Sequence, residues 1–520
     1  MPPRAVKPAK PGPGSTALFV LAAVVGAAFA GSIASSHSAL LKSWSILWQL
    51  TGWGAAWIVG TIAALRLPRR HTLSMIVAAA VVVRLMALAG PPTTSDDLYR
   101  YAWDGRVQTA GVDPYRYPPA ASQLGHLREP WLFPGRSGCA ALLRPTPCTR
   151  INRPLERTIY PPVAEAWFTA VYRLSGIGGR HKAWQVAGLL VDLLTIGLLV
   201  VALRRWGRDD RWVALYALCP AAVLEFVSNA HVDGLAVAFM VAALVISRPP
   251  PHTGTATATA ASPSARSTIG RDVAIGALIG AAALVKVYPA LLLVALIGLP
   301  RPHPWLSVAR ATAAALGLGA ITYLPHVAAV GSKVLGFLPG YLREEHYTKG
   351  GRFLLAGALG LQGSLATAAA VLGLSAAVAW VVWRRPDPPA GAVVLFGALL
   401  LATTPVQPWY AVSLVALGAL AVRPRWAAVT AAGYPYYFAV ILDSRRVTGI
   451  GRAAYGAALV AVVASWLTTR RRGKRIPGRR PAVADTAADT AAGTHAGTQA
   501  GAEAGRHRRP PDLGPFPRPP

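Results

Sequence analysis

Two adjacent carboxylates, Asp96 and Asp97, directly follow an apolar run at residues 73–90. Three aromatic residues and two arginines stand within the next nine positions. A carboxylate can take a proton from an attacking hydroxyl, arginines can neutralise a phosphate, and aromatic rings can stack on a sugar or a prenyl chain. Because the apolar run is long enough to cross a bilayer, this chemistry would take place at a membrane surface. The structural alternative is that the two aspartates only cap a helix.

Five further polar and aromatic stretches follow along the chain, at residues 152–162, 229–233, 286–289, 341–352 and 407–410. All six stretches fall on one side of the membrane in the topology derived below, which favours one external site for group transfer from a phosphate-linked lipid. Each stretch also has a structural alternative. His231 could be a hydrogen-bonded core residue, Lys286 could snorkel to an interface, and residues 407–410 could anchor a helix there.

The composition is that of a membrane protein. The chain has 520 residues, of which 53% are hydrophobic and only 14% are charged, whereas a soluble domain carries about 25% charged residues. The formal net charge is +31. The basic residues cluster at the ends of apolar runs, as the positive-inside bias requires, and no nucleic-acid-binding motif accompanies them. We therefore expect no nucleic acid partner.

Basic links between the apolar runs set the orientation, because cytoplasmic loops are enriched in lysine and arginine. The links at residues 66–70, 384–385 and 423–425 fall on the cytoplasmic side, whereas Arg445 and Arg446 fall on the other side and count against the topology. The sequence predicts an all-α, polytopic integral membrane protein with about 12–14 transmembrane helices of about 20 residues each. Both termini are predicted to be cytoplasmic.

Composition divides the chain into three parts. Residues 1–16 are predicted to form a basic cytoplasmic tail, residues 17–470 a polytopic membrane domain, and residues 471–520 a disordered cytoplasmic tail.

The membrane domain contains three predicted features besides its spanning helices. Residues 91–182 form a long external loop that carries the catalytic residues, and residues 163–174 within it form a helix lying in the interface. Residues 249–271 are rich in Ser, Thr, Ala and Pro and predict a flexible cytoplasmic loop. Residues 272–299 are interrupted at 286–289 and predict a hairpin of two short helices.

The three cysteines contribute little to the prediction of function. Cys139 and Cys148 share the external loop, where a disulfide could form, and the sequence leaves open whether they pair. Cys219 lies in an apolar run and is predicted to be a small core residue. No cluster of side chains has the spacing of metal ligands, so we expect no metal.

The first external loop resembles that of the GT-C membrane glycosyltransferases, and most closely that of bacterial polyprenyl-phosphate-mannose-dependent mannosyltransferases. The residues that carry the resemblance are Asp97, Tyr99, Tyr101, Gly105, Arg106 and the triplet Asp113-Pro114-Tyr115. Later motifs at residues 158–162, 231–234, 286–289 and 408–410 occur in the family's order, so the resemblance covers about residues 73–470. The sequence departs from the family at Gln407, where a histidine is common, and in having two apolar runs before the loop.

The resemblance implies a GT-C-like fold and assigns roles to residues. Asp97 is expected to be the general base, through its spacing to Tyr101, with Asp96 as the alternative. The residues expected to hold the donor phosphate are Lys286, Arg100, Arg106 and Arg352. The residues expected to contact the substrates are Tyr99, Tyr101, Tyr160, His231, Asp233, Tyr288, Gln407, Trp409 and Tyr410.

The implied reaction is the transfer of a hexose, with mannose suggested by the resemblance, from a polyprenyl-phosphate-linked donor to an extracytoplasmic lipid or glycan acceptor. The anomeric centre would invert. The lipid-linked donor is a substrate, so no cofactor is expected, and membrane lipids are the remaining expected partners. The protein is expected to be a multi-pass protein of the plasma membrane, with its active site on the extracytoplasmic side.

Two alternatives remain open at the level of sequence. A transporter or flippase of lipid-linked sugars would distribute polar residues through the spans and contain broken helices in two matching halves. A non-catalytic subunit of cell-envelope assembly would not need Asp97, so substitution of that residue would be silent.

Overall fold

The computed structural model describes residues 13–36, 43–249, 265–347 and 352–474, and these residues form helices and no strand. The α-helices are α1 (Pro13–Ser35), α2 (Ser45–Arg66), α3 (Arg69–Ala87), α4 (Asp97–Thr109), α5 (Arg136–Ala141), α6 (Pro162–Ser175), α7 (Arg180–Arg205), α8 (Ala214–Ala217), α9 (Pro220–Ala222), α10 (Asp233–Ser247), α11 (Ala265–Ala283), α12 (Leu292–Ala295), α13 (Pro304–Val330), α14 (Leu338–Glu344), α15 (Leu354–Ala358), α16 (Gly363–Arg384), α17 (Pro388–Ala402), α18 (Pro408–Ala421), α19 (Ala427–Ile441) and α20 (Val447–Lys474). A π-helical turn, Val223–Ser228, follows α9.

The chain divides into two compact units, Met1–Trp466 and Leu467–Pro520. Most of the predicted tail at 1–16, the middle of the predicted loop at 249–271 and most of the predicted tail at 471–520 lie outside the described residues. Helix α11 already begins at Ala265 and α20 continues to Lys474, so both helices extend past the predicted boundaries at 271 and 470. The polar and charged turns at these helix ends carry no hydropathy signal. The boundaries predicted from the sequence therefore fall inside the two helices.

Among the described residues, seven helices are long and apolar enough to cross a membrane, and an eighth span results if the pair Asp210–Ala217 and Pro220–Ser228, bent by 57°, is counted as one. The all-α polytopic fold predicted from the sequence is confirmed. The predicted number of 12–14 spans exceeds this count, because the prediction also counted apolar runs that form shorter helices. At about 1.5 Å of rise per residue, the 14 residues of α18 extend only about 21 Å, less than the hydrocarbon thickness of about 30 Å. Every residue of α18 except Tyr410 is buried, so other helices rather than lipid surround it.

The predicted hairpin at residues 272–299 is present. Helix α11 ends at Ala283, and the chain resumes a helical course at Tyr288, where Pro289 cannot continue an upstream helix. Arg301 pairs with the buried Asp272, so the two ends of the hairpin meet. The break itself is held by α6, whose free first-turn amides at Val163 and Ala164 donate to the carbonyl of Leu284 at 3.2 and 3.3 Å.

A buried ion pair connects helices α3 and α7, which flank the loop at residues 91–182. Arg84 of α3 pairs with Asp192 of α7, and both side chains are inaccessible to solvent. The other oxygen of Asp192 accepts a hydrogen bond from the hydroxyl of Tyr216 at 2.5 Å. Arg84 also donates to the carbonyl of Ala217 at 2.6 Å, next to the bend that precedes α9. Paired and hydrogen-bonded in this way, the two charges are compatible with an apolar interior.

The loop at residues 91–182, predicted to be external, carries α4, α5 and α6. The interfacial helix predicted at 163–174 is α6, and its face bearing Phe168 packs on α4 so closely that a side chain at Gly105 would lie 2.4 Å from the Phe168 carbonyl oxygen. Cys139 and Cys148 form a disulfide, which settles the question that the sequence left open. Cys219 is a buried free cysteine, as predicted.

Candidate active site

A cavity of about 1760 Å³ opens beside the first turn of α4. Its walls come from that turn, the loop at residues 150–161, the turn at 286–291, helices α13 and α14, and the start of α18. One part of the wall is apolar, formed by Leu291, Val294, Val327, Leu335, Leu338, Leu374 and Leu399. Seven lysines and arginines line the cavity, namely Arg100, Arg144, Arg150, Arg153, Arg157, Arg180 and Lys286, against the four carboxylates of Asp96, Asp97, Glu156 and Glu345. This excess of positive charge suits an anionic ligand.

The two aspartates lie at the cavity wall and share one hydrogen-bond donor. The side-chain amide of Asn152 donates to Oδ1 of Asp96 at 3.0 Å and to Oδ1 of Asp97 at 2.6 Å. Asp96 stands at the N-cap position of α4 and Asp97 in its first turn, but the side chain of Asp96 makes no capping hydrogen bond. Limited contact with water and the neighbouring Asp97 carboxylate raise the pKa of Asp96. Two carboxylates held side by side in a cavity can serve proton transfer.

His231 lies directly behind Asp97. Its Nδ1 is 3.5 Å from Oδ2 of Asp97, and its Nε2 is 3.3 Å from Oε2 of Glu225. The ring stacks on Trp409, with centroids 4.1 Å apart and planes at 16°. Burial alone would lower the pKa of His231, but the Glu225 and Asp97 carboxylates outweigh it and raise that pKa. Within the described residues, no three His, Cys, Asp or Glu side chains are grouped to hold a metal ion.

Lys286 enters the cavity from the tip of the hairpin. Its Nζ lies 4.9 Å from the ring centroid of Tyr160 and 5.0 Å from that of Tyr410, so the ammonium is clamped between two aromatic faces. The clamp leaves its charge available to a ligand in the cavity. Such a position differs from a snorkelling lysine, which reaches the membrane interface.

Two polar side chains next to this lysine lack hydrogen-bond partners in the described part of the chain. They are Asp233, whose two oxygens are both unpaired, and Tyr288, whose hydroxyl is unpaired. Asp233 is fully buried at the start of α10, whereas Tyr288 lines the cavity. Buried polar groups are seldom left unpaired without a reason, and a bound polar ligand is one such reason.

Ten of the predicted site residues line the cavity, and five do not. The lining residues are Asp96, Asp97, Tyr99, Arg100, Tyr160, Lys286, Tyr288, Gln407, Trp409 and Tyr410. His231 and Asp233 lie behind the lining, as described above. The remaining three, Tyr101, Arg106 and Arg352, are engaged elsewhere.

Each of these three residues has a structural partner. Tyr101 is buried in an aromatic cluster and stacks on Phe168 at 4.4 Å. Arg106 forms a salt bridge with Glu129 at 3.2 Å, one turn or more beyond the cavity-lining part of α4.

Arg352 pairs with Glu345 of the cavity wall and donates to the carbonyl of Pro405 at 2.5 Å. It therefore supports the wall rather than lining it. Lys349, in the same predicted stretch, lies outside the described residues.

Two residues of the site were not predicted from the sequence. Asn152 was noted only as part of a polar stretch, and nothing local identifies it as the donor to Asp97. Glu225 had a usable signal, because it is a lone carboxylate inside the apolar run at 211–229, and ionisable residues within such runs usually serve a function.

Comparison with known proteins gives one result. Residues 158–405 match the model of glycosyltransferase family 87. The matched segment contains Tyr160, His231 and Lys286, and it includes neither Asp97 nor Trp409. No curated protein and no solved structure matches the chain. The family match and the long apolar helices together support a multi-pass membrane glycosyltransferase.

Proposed function

We propose that this protein transfers a hexose, namely mannose, from a polyprenyl-phosphate donor to a lipid or glycan acceptor on the extracytoplasmic face of the plasma membrane. One observation carries the proposal. A single cavity combines the Asp97 carboxylate, the clamped ammonium of Lys286 and a wall of aliphatic side chains. A lipid-linked sugar phosphate needs these three environments for its reacting carbon, its leaving group and its chain.

The reaction is a single in-line displacement. The acceptor hydroxyl gives its proton to Asp97 as its oxygen bonds to the anomeric carbon, and the bond from that carbon to the phosphate oxygen breaks. The polyprenyl phosphate leaves with the bonding electrons, and Lys286 and Arg100 stabilise its charge. Trp409 and Tyr410 offer aromatic faces to the sugar. Attack from the side opposite the leaving group inverts the anomeric centre.

The test is transfer by the purified full-length protein, with polyprenyl-phosphate mannose as donor and a lipid extract of the producing organism as acceptor source. We expect Asp97→Asn to fold and insert normally but to lose about 10²–10⁴-fold in rate, because it keeps the shape of the side chain and removes the proton acceptor. Asp96→Asn is the matched control and should retain most activity. Wild-type turnover by Asp97→Asn would contradict the proposal, and a glycosylated product distinguishes transfer from lipid translocation.

The orientation of the active site is tested separately. Ser122→Cys, on the external loop, should react with a membrane-impermeant thiol reagent in intact cells, whereas Arg425→Cys, in a basic link, should not. Both positions are exposed. The native cysteines give little background, because two form a disulfide and the third is buried. Labelling of the Arg425→Cys protein alone would place the site on the cytoplasmic side.

A further inference from the structure

His231 stands between two carboxylates, and each of its ring nitrogens faces one of them. Its Nδ1 faces Asp97 at 3.5 Å and its Nε2 faces Glu225 at 3.3 Å. A neutral imidazole carries one proton and would turn a lone pair toward one of the carboxylates, whereas an imidazolium presents a proton to both. The geometry therefore favours the charged form of the ring.

The ring is held in place from several directions. It stacks on Trp409, and its backbone amide donates to the backbone carbonyl of Glu225 at 2.8 Å. The preceding residue, Ala230, has a φ of 54°, a left-handed conformation that is uncommon for a residue with a side chain. A strained backbone that survives next to a reactive group is often retained for the geometry it provides.

Glu225 is fixed as firmly. It is buried in the π-helical turn and accepts a hydrogen bond from the hydroxyl of Tyr434 at 2.8 Å and another from the amide of Asn229 at 3.1 Å. Asn229 in turn donates to the hydroxyl of Thr94, which lines the cavity, at 2.6 Å. These two donors fix the position of the carboxylate. The chain Asp97–His231–Glu225 is thus a fixed unit that reaches from the cavity wall into the interior.

We propose that His231, kept protonated by Glu225, is a positioning residue for Asp97. The two oxygens of Asp97 then have separate partners, since Asn152 donates to Oδ1 and the imidazolium attracts Oδ2. This inference rests on the proposed function, in which Asp97 accepts the proton of the acceptor. The imidazolium attracts the negative charge of Asp97 and leaves the remaining lone pairs of that carboxylate directed into the cavity, while Glu225 never touches a substrate.

The surrounding charges explain why a cation is needed there. Asp96 and Asp233 face Asp97 with like charge. Within the described residues, the facing cations besides His231 are Lys286 and Arg153. The facing hydroxyls belong to Tyr101, Tyr160, Tyr410 and Tyr437. Lys286 is committed to the leaving group in the proposed reaction and Arg153 is paired with Glu344 at 2.5 Å, so His231 is the cation that remains for Asp97.

The experiment is the pH dependence of transfer by full-length Glu225→Gln and His231→Gln, with the same mannose donor and lipid extract. Glu225→Gln keeps a hydrogen-bond acceptor for Tyr434 but lets His231 lose its proton, and His231→Gln removes the cation outright. In both variants Asp97 loses the cation beside it, so the acid limb of the rate profile moves to higher pH by about 1 unit or more. The rate recovers at higher pH, and the double variant shows no additional shift. The KM for the donor stays unchanged.

The matched control is Asp272→Asn, a buried carboxylate paired with Arg301 at the far end of the hairpin. It lowers stability without moving the pH profile of the folded protein. If Glu225→Gln is not recovered folded, His231→Gln decides the question alone. A wild-type acid limb in the folded variant, together with an inactive Asp97→Asn, would overturn this inference and leave the proposed function standing. Activity of Asp97→Asn would instead overturn the proposed function.

Discussion

Two of the regions in which this protein buries ionisable groups treat those groups differently. Between α3, α7 and α8, both oxygens of Asp192 accept hydrogen bonds, and Arg84 leaves only its Nη2 without a partner in the described residues. Beside the cavity, both oxygens of Asp233 and the hydroxyl of Tyr288 lack hydrogen-bond partners in the same part of the chain. In the first region nearly all buried polar atoms have hydrogen-bond partners, and in the second several do not.

The contrast separates charges that hold the fold from charges kept for a ligand. A buried ion pair whose hydrogen bonds are made contributes little net stability, but removing either partner is strongly destabilising. Buried groups left unpaired lower stability, and a protein retains them where something else uses them. Four predictions sharpen this distinction or break it.

The largest effect is expected in the region around Asp192 and Arg84. Asp192→Asn removes the negative charge and leaves Arg84 buried and uncompensated, which should lower the free energy of unfolding by about 3–5 kcal/mol. Thermal unfolding of the purified protein in detergent measures this loss. Asp97→Asn is the matched substitution at the cavity and should unfold at the wild-type temperature. Equal losses in the two variants would remove the distinction between the regions.

The next effect concerns ligand binding rather than stability. Lys286→Met should raise the donor KM and slow transfer, together about 10- to 100-fold, because a hydrogen bond to a charged group contributes about 1.5–3 kcal/mol. Lys286→Arg keeps the charge and should retain part of the activity. Donor dependence measured for both variants checks this. Unchanged kinetics in Lys286→Met would mean that the lysine serves only its two tyrosines.

A smaller loss of stability is expected at Asp233. Asp233→Asn removes a buried carboxylate that makes no hydrogen bond in the described residues but faces the ammonium of Lys286, so the free energy of unfolding should fall by about 1 kcal/mol, less than in Asp192→Asn, while transfer slows. Stability and rate are measured on the same preparation. A loss of stability as large as that of Asp192→Asn would show that Asp233 also belongs to the fold.

The smallest effect is expected at Arg106. Arg106→Lys keeps a cation beside Glu129 and loses the contact with the hydroxyl of Tyr172, which lies 3.2 Å away. We expect the donor KM to stay at the wild-type value and stability to fall by about 1 kcal/mol or less. A raised donor KM would restore Arg106 to the phosphate site predicted from the sequence.

The sequence predicted which stretches meet but not which side chains face the cavity. The break at 286–289 was predictable, because a lysine and a proline cannot continue an apolar helix at little cost. The orientation of α4 was not, because Tyr99 and Tyr101 differ by two positions and point to different faces of the helix. Helix α6 covers the face with Tyr101. That packing depends on the close approach of Gly105 to Phe168, a residue distant from it in sequence. The role of Glu225 depends likewise on Tyr434, more than two hundred residues away.

The same limit applies to the number of spans. Apolar runs predict burial, but they do not distinguish burial in lipid from burial in protein. Helix α18 is apolar along its whole length and is enclosed by other helices. Only the tertiary structure separates such a helix from one that contacts lipid.

The size of the cavity has a consequence for the fate of the donor. At about 30 Å³ per molecule, a volume of about 1760 Å³ has room for roughly 60 waters. A carboxylate that activates an acceptor hydroxyl can also activate one of these waters, and the sugar would then be released as free hexose. In the proposed reaction, a prenyl chain lying against the aliphatic wall would expel part of this water before the acceptor arrives. The lipid part of the proposed donor would then both carry the sugar and protect it from hydrolysis.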